Sequence, residues 1–279
     1  MAMARRFRQV DVFSERALLG NPLAVVLDGD GLSSDEMQAF ANWTNLSETV
    51  FVTTPERAEA DYALRIFTPT FELPFAGHPT LGACFSWLDA GGSPRQPEEI
   101  VQECALGLVR ISRRGDHLAF GAPEMVRFGD VDATTLQRAA RVLGIELDAI
   151  VASHHVDNGP GWLGVMLADV SSVLDIAPGP LEGLLIGVIA PTRDDREADF
   201  EVRAFFPQGN LTVEDPVTGS LNASLAQWLT STGRARAPYR VRQGTALGRE
   251  GLISIQRDDT GQVWVGGRVT TVVEGVVHL

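Results

Sequence analysis

The sequence contains no lysine; all 23 of its basic residues are arginine. That absence excludes chemistry built on a side-chain primary amine. Pyridoxal phosphate enzymes and Schiff-base aldolases both need a lysine nitrogen, and a P-loop of the form G-x-x-x-x-G-K-[ST] cannot occur. Cysteine is nearly as scarce, with Cys84 and Cys104 alone among 279 residues. Two thiols make no disulfide framework in a chain of this length and fit a reducing compartment. Long apolar runs are missing too. Residues 184–190 (LLIGVIA) form one of the longest, far short of a membrane span. The opening MAMARRFRQVDVF carries positive charge but no apolar stretch behind it, unlike a secretory leader. The expectation is a soluble, cytoplasmic protein.

What is present is an acidic, globular composition: 36 Asp and Glu against the 23 arginines, a formal charge of −13, and 44% hydrophobic residues. The charge argues against a nucleic-acid partner, because phosphate binding draws on clustered Lys and Arg. It disfavours an anionic membrane surface for the same reason. His117, His154 and His155 lack the partners or spacing of a zinc site. Asp28-Gly-Asp30-Gly31 opens like a calcium loop but fails the EF-hand pattern at Leu32. No G-x-S-x-G occurs, and the one G-x-G-x-x-G, at residues 159–164, leads into an expected strand rather than the helix a dinucleotide-binding turn needs.

The chain resembles itself. Arg65-Ile-Phe67-Thr-Pro69 matches Arg203-Ala-Phe205-Phe-Pro207. Helical stretches ending Trp87-Leu88 and Trp228-Leu229 match next, followed by QECALG (102–107) and QGTALG (243–248). A weaker pair sets GNPLAVVL (20–27) beside NGPGWLGVML (158–167). The matches keep their order at nearly one offset, about half the chain, which predicts two homologous lobes with a cleft between them, a preferred ligand location. The expected boundaries are 1–122, joined by a C-terminal strand at 270–279, and 123–269.

Periodicity predicts an α+β architecture with a long helix in each lobe. Short β-branched or alternating runs read as strands at 7–13, 23–27, 50–53, 62–67, 99–104, 107–112 and 117–120. Ser33 and Glu36 offer a capping box opening a helix through about Asn45. A second helix spans 79–90. The second half adds helices at 134–143, with Gly144 as its cap, and 219–230. Its strands are expected at 162–168, 185–189, 241–242, 251–256 and 263–269.

Positions that differ between the halves are candidates for chemistry. Glu48, in NLSET at a helix-to-strand junction, falls opposite Leu185 of the other half. A partly desolvated carboxylate there would make an acid or base near neutral pH; the plainer alternative is a solvated surface glutamate. His78, in GHPTLG, stands at a helix entry where Gly77 and Pro79 leave backbone N–H groups for an anion, or is simply a structural histidine. Asp215, Gly219 and Ser220, in EDPVTGS, enter the other long helix, and Asp215 and Ser220 could equally be N-caps. Two anion-attracting helix ends with a carboxylate suit proton transfer beside a substrate carboxylate.

Five stretches carry a family resemblance: DVFSERALLGNPLAVVLD, MQAFANWTNLSETVFV, RIFTPTFELPFAGHPTLG, EDPVTGSLNASLAQWL and QGTALGREGLISI, spread from residue 11 to 255. Together they resemble the PhzF-like (phenazine biosynthesis) isomerases. The resemblance implies the diaminopimelate-epimerase-like fold: two lobes, each a curved or barrel-like sheet around a central helix, with the last strand returning to the first lobe. It implies that Glu48 is the catalytic acid/base, supported by His78 and Asp215. It also implies that Gly77, Gly219 and Ser220 bind a substrate carboxylate; Asn21 and Ser47 complete the expected binding set. The implied reaction moves a proton between ring carbons of a small, cyclic carboxylate, with no cofactor and no metal, and a homodimer is the expected assembly. Related epimerases carry a cysteine at each helix entry, where this chain has Ala76 and about Pro216, and Leu221-Asn222 departs from the small residues or histidine expected after Ser220. A non-catalytic relative that keeps the cleft and a cysteine epimerase are the competing readings.

Overall fold

A computed structural model describes residues 3–193 and 195–279. Residues 1 and 2 of the expected first lobe, and residue 194 of the second, lie outside the described residues. The chain opens with β1 (Ala4–Val12), β2 (Asn21–Val26), α1 (Ser34–Thr44), β3 (Thr49–Thr53), β4 (Tyr62–Phe67), β5 (Glu72–Leu73), α2 (Gly77–Asp89), β6 (Glu99–Cys104), β7 (Gly107–Arg114) and β8 (His117–Gly121). It continues with β9 (Arg127–Gly129), α3 (Ala133–Leu143), β10 (Ala152–Asp157), β11 (Trp162–Met166), α4 (Val170–Leu174), β12 (Leu185–Pro191) and β13 (Phe200–Gln208). The last elements are β14 (Leu211–Asp215), α5 (Gly219–Ser231), β15 (Tyr239–Gln243), β16 (Gly251–Arg257), β17 (Val263–Gly267) and β18 (Val269–His278). Two compact units result. One holds the chain through Gly121 with Gly266–Leu279, and the other holds Ala122–Val265.

In the first unit β18 runs antiparallel to β1 along its whole length, from Ala4 opposite His278 to Val12 opposite Val269. β1 pairs with β2, β2 lies parallel to β3, and β3 runs antiparallel to β4. β4 pairs with β5 at one end and parallel to β6 at the other, and β7 and β8 follow as antiparallel neighbours. The sheet wraps α2, which packs against β1, β2, β3, β4, β6, β8 and β18. A helix surrounded by strands is apolar on every side, and α2 is buried over most of its length. Close approach needs Gly82, because a Cβ there would lie 2.5 Å from Leu23 Cδ2. α1 covers the sheet elsewhere, packing Met37, Phe40 and Ala41 against Val26, Phe51 and Phe67. Its capping box forms as the sequence predicts, with Ser33 accepting from Glu36 N–H.

The second unit repeats this plan. β9 pairs with β10, β10 with β11, and β11 lies parallel to β12. β12 runs antiparallel to β13, which pairs with β14 at one end and parallel to β15 at the other, and β16 follows β15. β12 is apolar throughout and nearly all buried, as expected of a strand covered on both faces. α5 packs on β10 and β16. Small residues again permit the approach, now on the strands: a Cβ at Gly187 would lie 2.4 Å from Leu221 Cδ1, and one at Gly164 would meet Leu225 and Trp228. α3 and α4 cover the unit's other core, through Val142, Leu143 and Val173.

The duplication extends to side chains. Arg65 of β4 pairs with Glu72 of β5 at 2.7 Å and lies 5.1 Å over the Phe67 ring. Arg203 of β13 pairs with Glu214 of β14 at 2.7 Å and lies 4.8 Å over the Phe205 ring. This register makes Leu73 the counterpart of Asp215 and Ala76 the counterpart of Thr218. Several expectations need correction. The strand expected at 263–269 breaks at the exposed Arg268, after two glycines, and a separate strand begins at Val269. β9, β10, β13, β14 and α4 lie where no element was expected.

Candidate active site

α1 ends at Asn45, whose left-handed backbone (φ 54°) turns the chain and returns its N–H to Ala41 O. The Thr44 and Thr49 hydroxyls, 2.7 Å apart, tie the connection closed. Glu48 therefore emerges immediately before β3, where its side chain keeps only 16% exposure. β3 lies parallel to β2, and β2 opens with the fully buried Asn21. His78, in the first turn of α2, completes the group: its Nε2 stands 3.3 Å from Glu48 Oε2, and its Nδ1 stands 3.5 Å from Asn21 Nδ2.

These contacts fix a protonation pattern. An amide nitrogen only donates, so His78 Nδ1 accepts from Asn21 and the ring proton resides on Nε2, the nitrogen nearer Glu48. A nearby carboxylate alone would raise an imidazole pKa, but burial works the other way and prevails, pushing His78 down to about 3. His78 is thus a neutral neighbour of the Glu48 carboxylate rather than a cationic partner, its Nε2 3.3 Å from Oε2.

Asp215 ends β14, ahead of α5. Its Oδ2 accepts from Thr218 Oγ1 at 2.6 Å. Gln243, fully buried at the end of β15, donates from Nε2 to Asp215 O (3.0 Å) and Thr218 Oγ1 (2.9 Å). Its Oε1 accepts from Thr218 N (3.0 Å) and Asn222 Nδ2 (2.8 Å). Thr218 is the N-cap residue of α5, without a side-chain cap bond. The alternative reading of Asp215 and Ser220 as N-caps is therefore corrected. Asp215 bonds the Thr218 hydroxyl, and Ser220 Oγ accepts from Trp162 Nε1 at 3.1 Å. Gly77 and Gly219 are buried at their helix entries, and Ser47 is exposed beside Glu48. Neither Ala76 nor Thr218 caps its helix with a side chain, so first-turn amides of α2 and α5 remain available to an anion.

Thr218, Asn222 and Gln243 did not emerge from sequence reasoning as site residues, although the repeat QECALG/QGTALG marked the glutamines. The departure at 221–222 has a structural origin, since Leu221 fills the space above Gly187 and Asn222 joins the Gln243 network. The thiols stand apart. Cys84 is buried within α2 and pushed up to about 12 by desolvation, and burial also raises Cys104, so neither offers a thiolate near neutral pH. Among the described residues no three His, Cys, Asp or Glu side chains gather as a metal-binding group.

The phenazine biosynthesis-like protein model (PhzC-PhzF) matches residues 10–275. The chain is 35% identical to antisense-enhancing sequence 1 of Schizosaccharomyces pombe, over 96% of this chain and 97% of that protein. It is 29% identical to a trans-2,3-dihydro-3-hydroxyanthranilate isomerase of Pseudomonas aeruginosa, over 98% of this chain and 99% of that one. The crystal structure of a PhzF family protein from Bacillus anthracis superposes with a TM-score of 0.84 at 22% identity, covering 99% of this chain and 100% of that one. A model match over nearly the whole length and a two-lobed α+β fold agree: the chain belongs to the phenazine biosynthesis-like family, and it is an isomerase.

Proposed function

We propose that the enzyme isomerises a small, cyclic carboxylate by moving one proton between carbon atoms, with Glu48 carrying the proton. The observation behind this reading is the Glu48–His78–Asn21 constellation in one unit. Asn21 holds His78 in the tautomer protonated at Nε2, so the imidazole beside Glu48 is neutral and no counter-cation there weakens the carboxylate as a base. The Glu48 carboxylate abstracts a proton from one carbon and, as the acid, returns it to another. First-turn amides at Gly77 of α2, and at Gly219 and Ser220 of α5, are the groups assigned to anion binding. Asp215 is read as a further polar group of the reaction, and Ser47 flanks Glu48 on the exposed side.

The relatives named for trans-2,3-dihydro-3-hydroxyanthranilate suggest that compound as the first substrate to try. The reading needs no organic cofactor or metal, and takes the enzyme as a cytoplasmic homodimer, an assembly that light scattering after gel filtration checks. The central test is Glu48→Gln, incubated with that compound in deuterium oxide. Turnover and deuterium incorporation should fall by about 10²–10⁴-fold, with the circular dichroism spectrum and ligand binding retained. Wild-type deuterium incorporation in the variant would refute Glu48 as the proton carrier.

A further inference from the structure

Each unit holds one fully buried glutamine at the same place in its topology, Gln102 on β6 and Gln243 on β15. In the first unit Gln102 does a structural job. It accepts from Tyr62 OH at 2.9 Å and donates to Thr80 Oγ1, in α2, at 3.1 Å. Nothing in that arrangement leads to a carboxylate, because Leu73 and Ala76 occupy the positions matching Asp215 and Thr218. In the second unit the same glutamine reaches one.

The direction of each hydrogen bond there can be assigned. Thr218 N only donates, so Gln243 Oε1 faces it, and Gln243 Nε2 then faces the Asp215 carbonyl, which only accepts. The same Nε2 donates to Thr218 Oγ1. The single hydroxyl proton of Thr218 is left for Asp215 Oδ2, 2.6 Å away. The side-chain donors Gln243 Nε2 and Thr218 Oγ1 thus run in sequence toward the carboxylate, and Gln243, Thr218 and Asn222 are all buried. Glu214 is held by Arg203, and the Arg249 stem packs against Gly244, which also abuts Pro216 O.

We propose that Gln243 and Thr218 are positioning residues that hold the Asp215 carboxylate ionised and fixed in direction, a task the second unit has added to a glutamine that is purely structural in the first. This rests on the reading of Asp215 as a group of the reaction. A hydroxyl donated to an ionised carboxylate favours that form, and removing it raises the pKa.

The test is a carbon-13 NMR titration of the side-chain carboxyls in aspartate-labelled full-length protein, with the Asp215 signal identified by its loss in Asp215→Asn. In Thr218→Val the Asp215 midpoint should rise by about one unit, equivalent to about a tenfold loss of the ionised form below it. Thr218→Ser, which keeps the hydroxyl, should restore the wild-type midpoint. A folded Thr218→Val with an unshifted midpoint overturns the proposal. If Thr218→Val does not fold, Gln243→Met decides instead. It removes the Nε2 donor that turns the Thr218 hydroxyl toward Asp215, so the Asp215 midpoint should again rise, and an unchanged one overturns the proposal. None of these readings needs turnover. Wild-type conversion of trans-2,3-dihydro-3-hydroxyanthranilate by Asp215→Asn would remove Asp215 from the reaction, while the titration would still decide the relay.

Discussion

A histidine in water titrates near pH 6.5, whereas His78, 6% exposed, is pushed down to about 3. As pH falls from about 6.5 the unfolded chain binds a proton at this position and the native state does not. His78 therefore destabilises the fold progressively between these two values and has no such effect above them. His78→Gln should make stability in urea less sensitive to pH across that window. Nitrogen-15 NMR should find the wild-type ring neutral, with its proton on Nε2, at pH 5. A His78 signal titrating near 6.5, or an Nδ1–H tautomer, would contradict the assigned pattern. The residue types at this site were legible, since NLSET and GHPTLG drew attention to Glu48 and His78. What the sequence could not show is that residues 27 and 57 positions from Asn21 converge on it. That meeting depends on the parallel β2–β3 pairing and on the entry of α2.

Elements were legible where local chemistry marks them. The capping box at Ser33 and Glu36 and the left-handed cap at Gly144 set helix ends that the structure repeats. β10 escaped because His154 and His155 break an apolar pattern; the His154 ring lies stacked on Trp228 of α5, 5.6 Å away, a contact periodicity cannot see. β14 escaped because it ends in Glu214 and Asp215, which look like loop residues until Arg203 is known to face them. The duplicated arginine pairs allow a controlled comparison between elements. Arg203 and Glu214 are 7% and 9% exposed, Arg65 and Glu72 are 30% and 36%. Arg203 also donates to the carbonyls of Val173, Leu174 and Ile176. Arg203→Ala strands a buried carboxylate and should cost about 3–5 kcal/mol. Arg65→Ala, at a more solvated pair, should cost about 1 kcal/mol or less. Urea midpoints followed by circular dichroism make the comparison, and equal losses would show that burial does not separate the two pairs.

At the scale of the molecule, one topology is written twice, but only the second unit is continuous in sequence. The first unit closes by pairing β18 along the whole of β1. Ending the chain before Val269 should leave β1 half-paired and unfold that unit, while the Ala122–Val265 segment keeps its own strands. Limited proteolysis of the shortened chain should then leave a protected fragment beginning near residue 122; protection of the Glu48 region instead would show that β18 is dispensable. The same closure orders events on the ribosome. β1 emerges before the second unit and β18 after it, so the second unit can fold while the first still waits for its closing strand. A nascent chain thus carries the Glu48–His78 pair through the whole of the second unit's synthesis without the complete sheet that holds it, and a message cut short before Val269 would yield a protein whose intact half is the one that lacks Glu48.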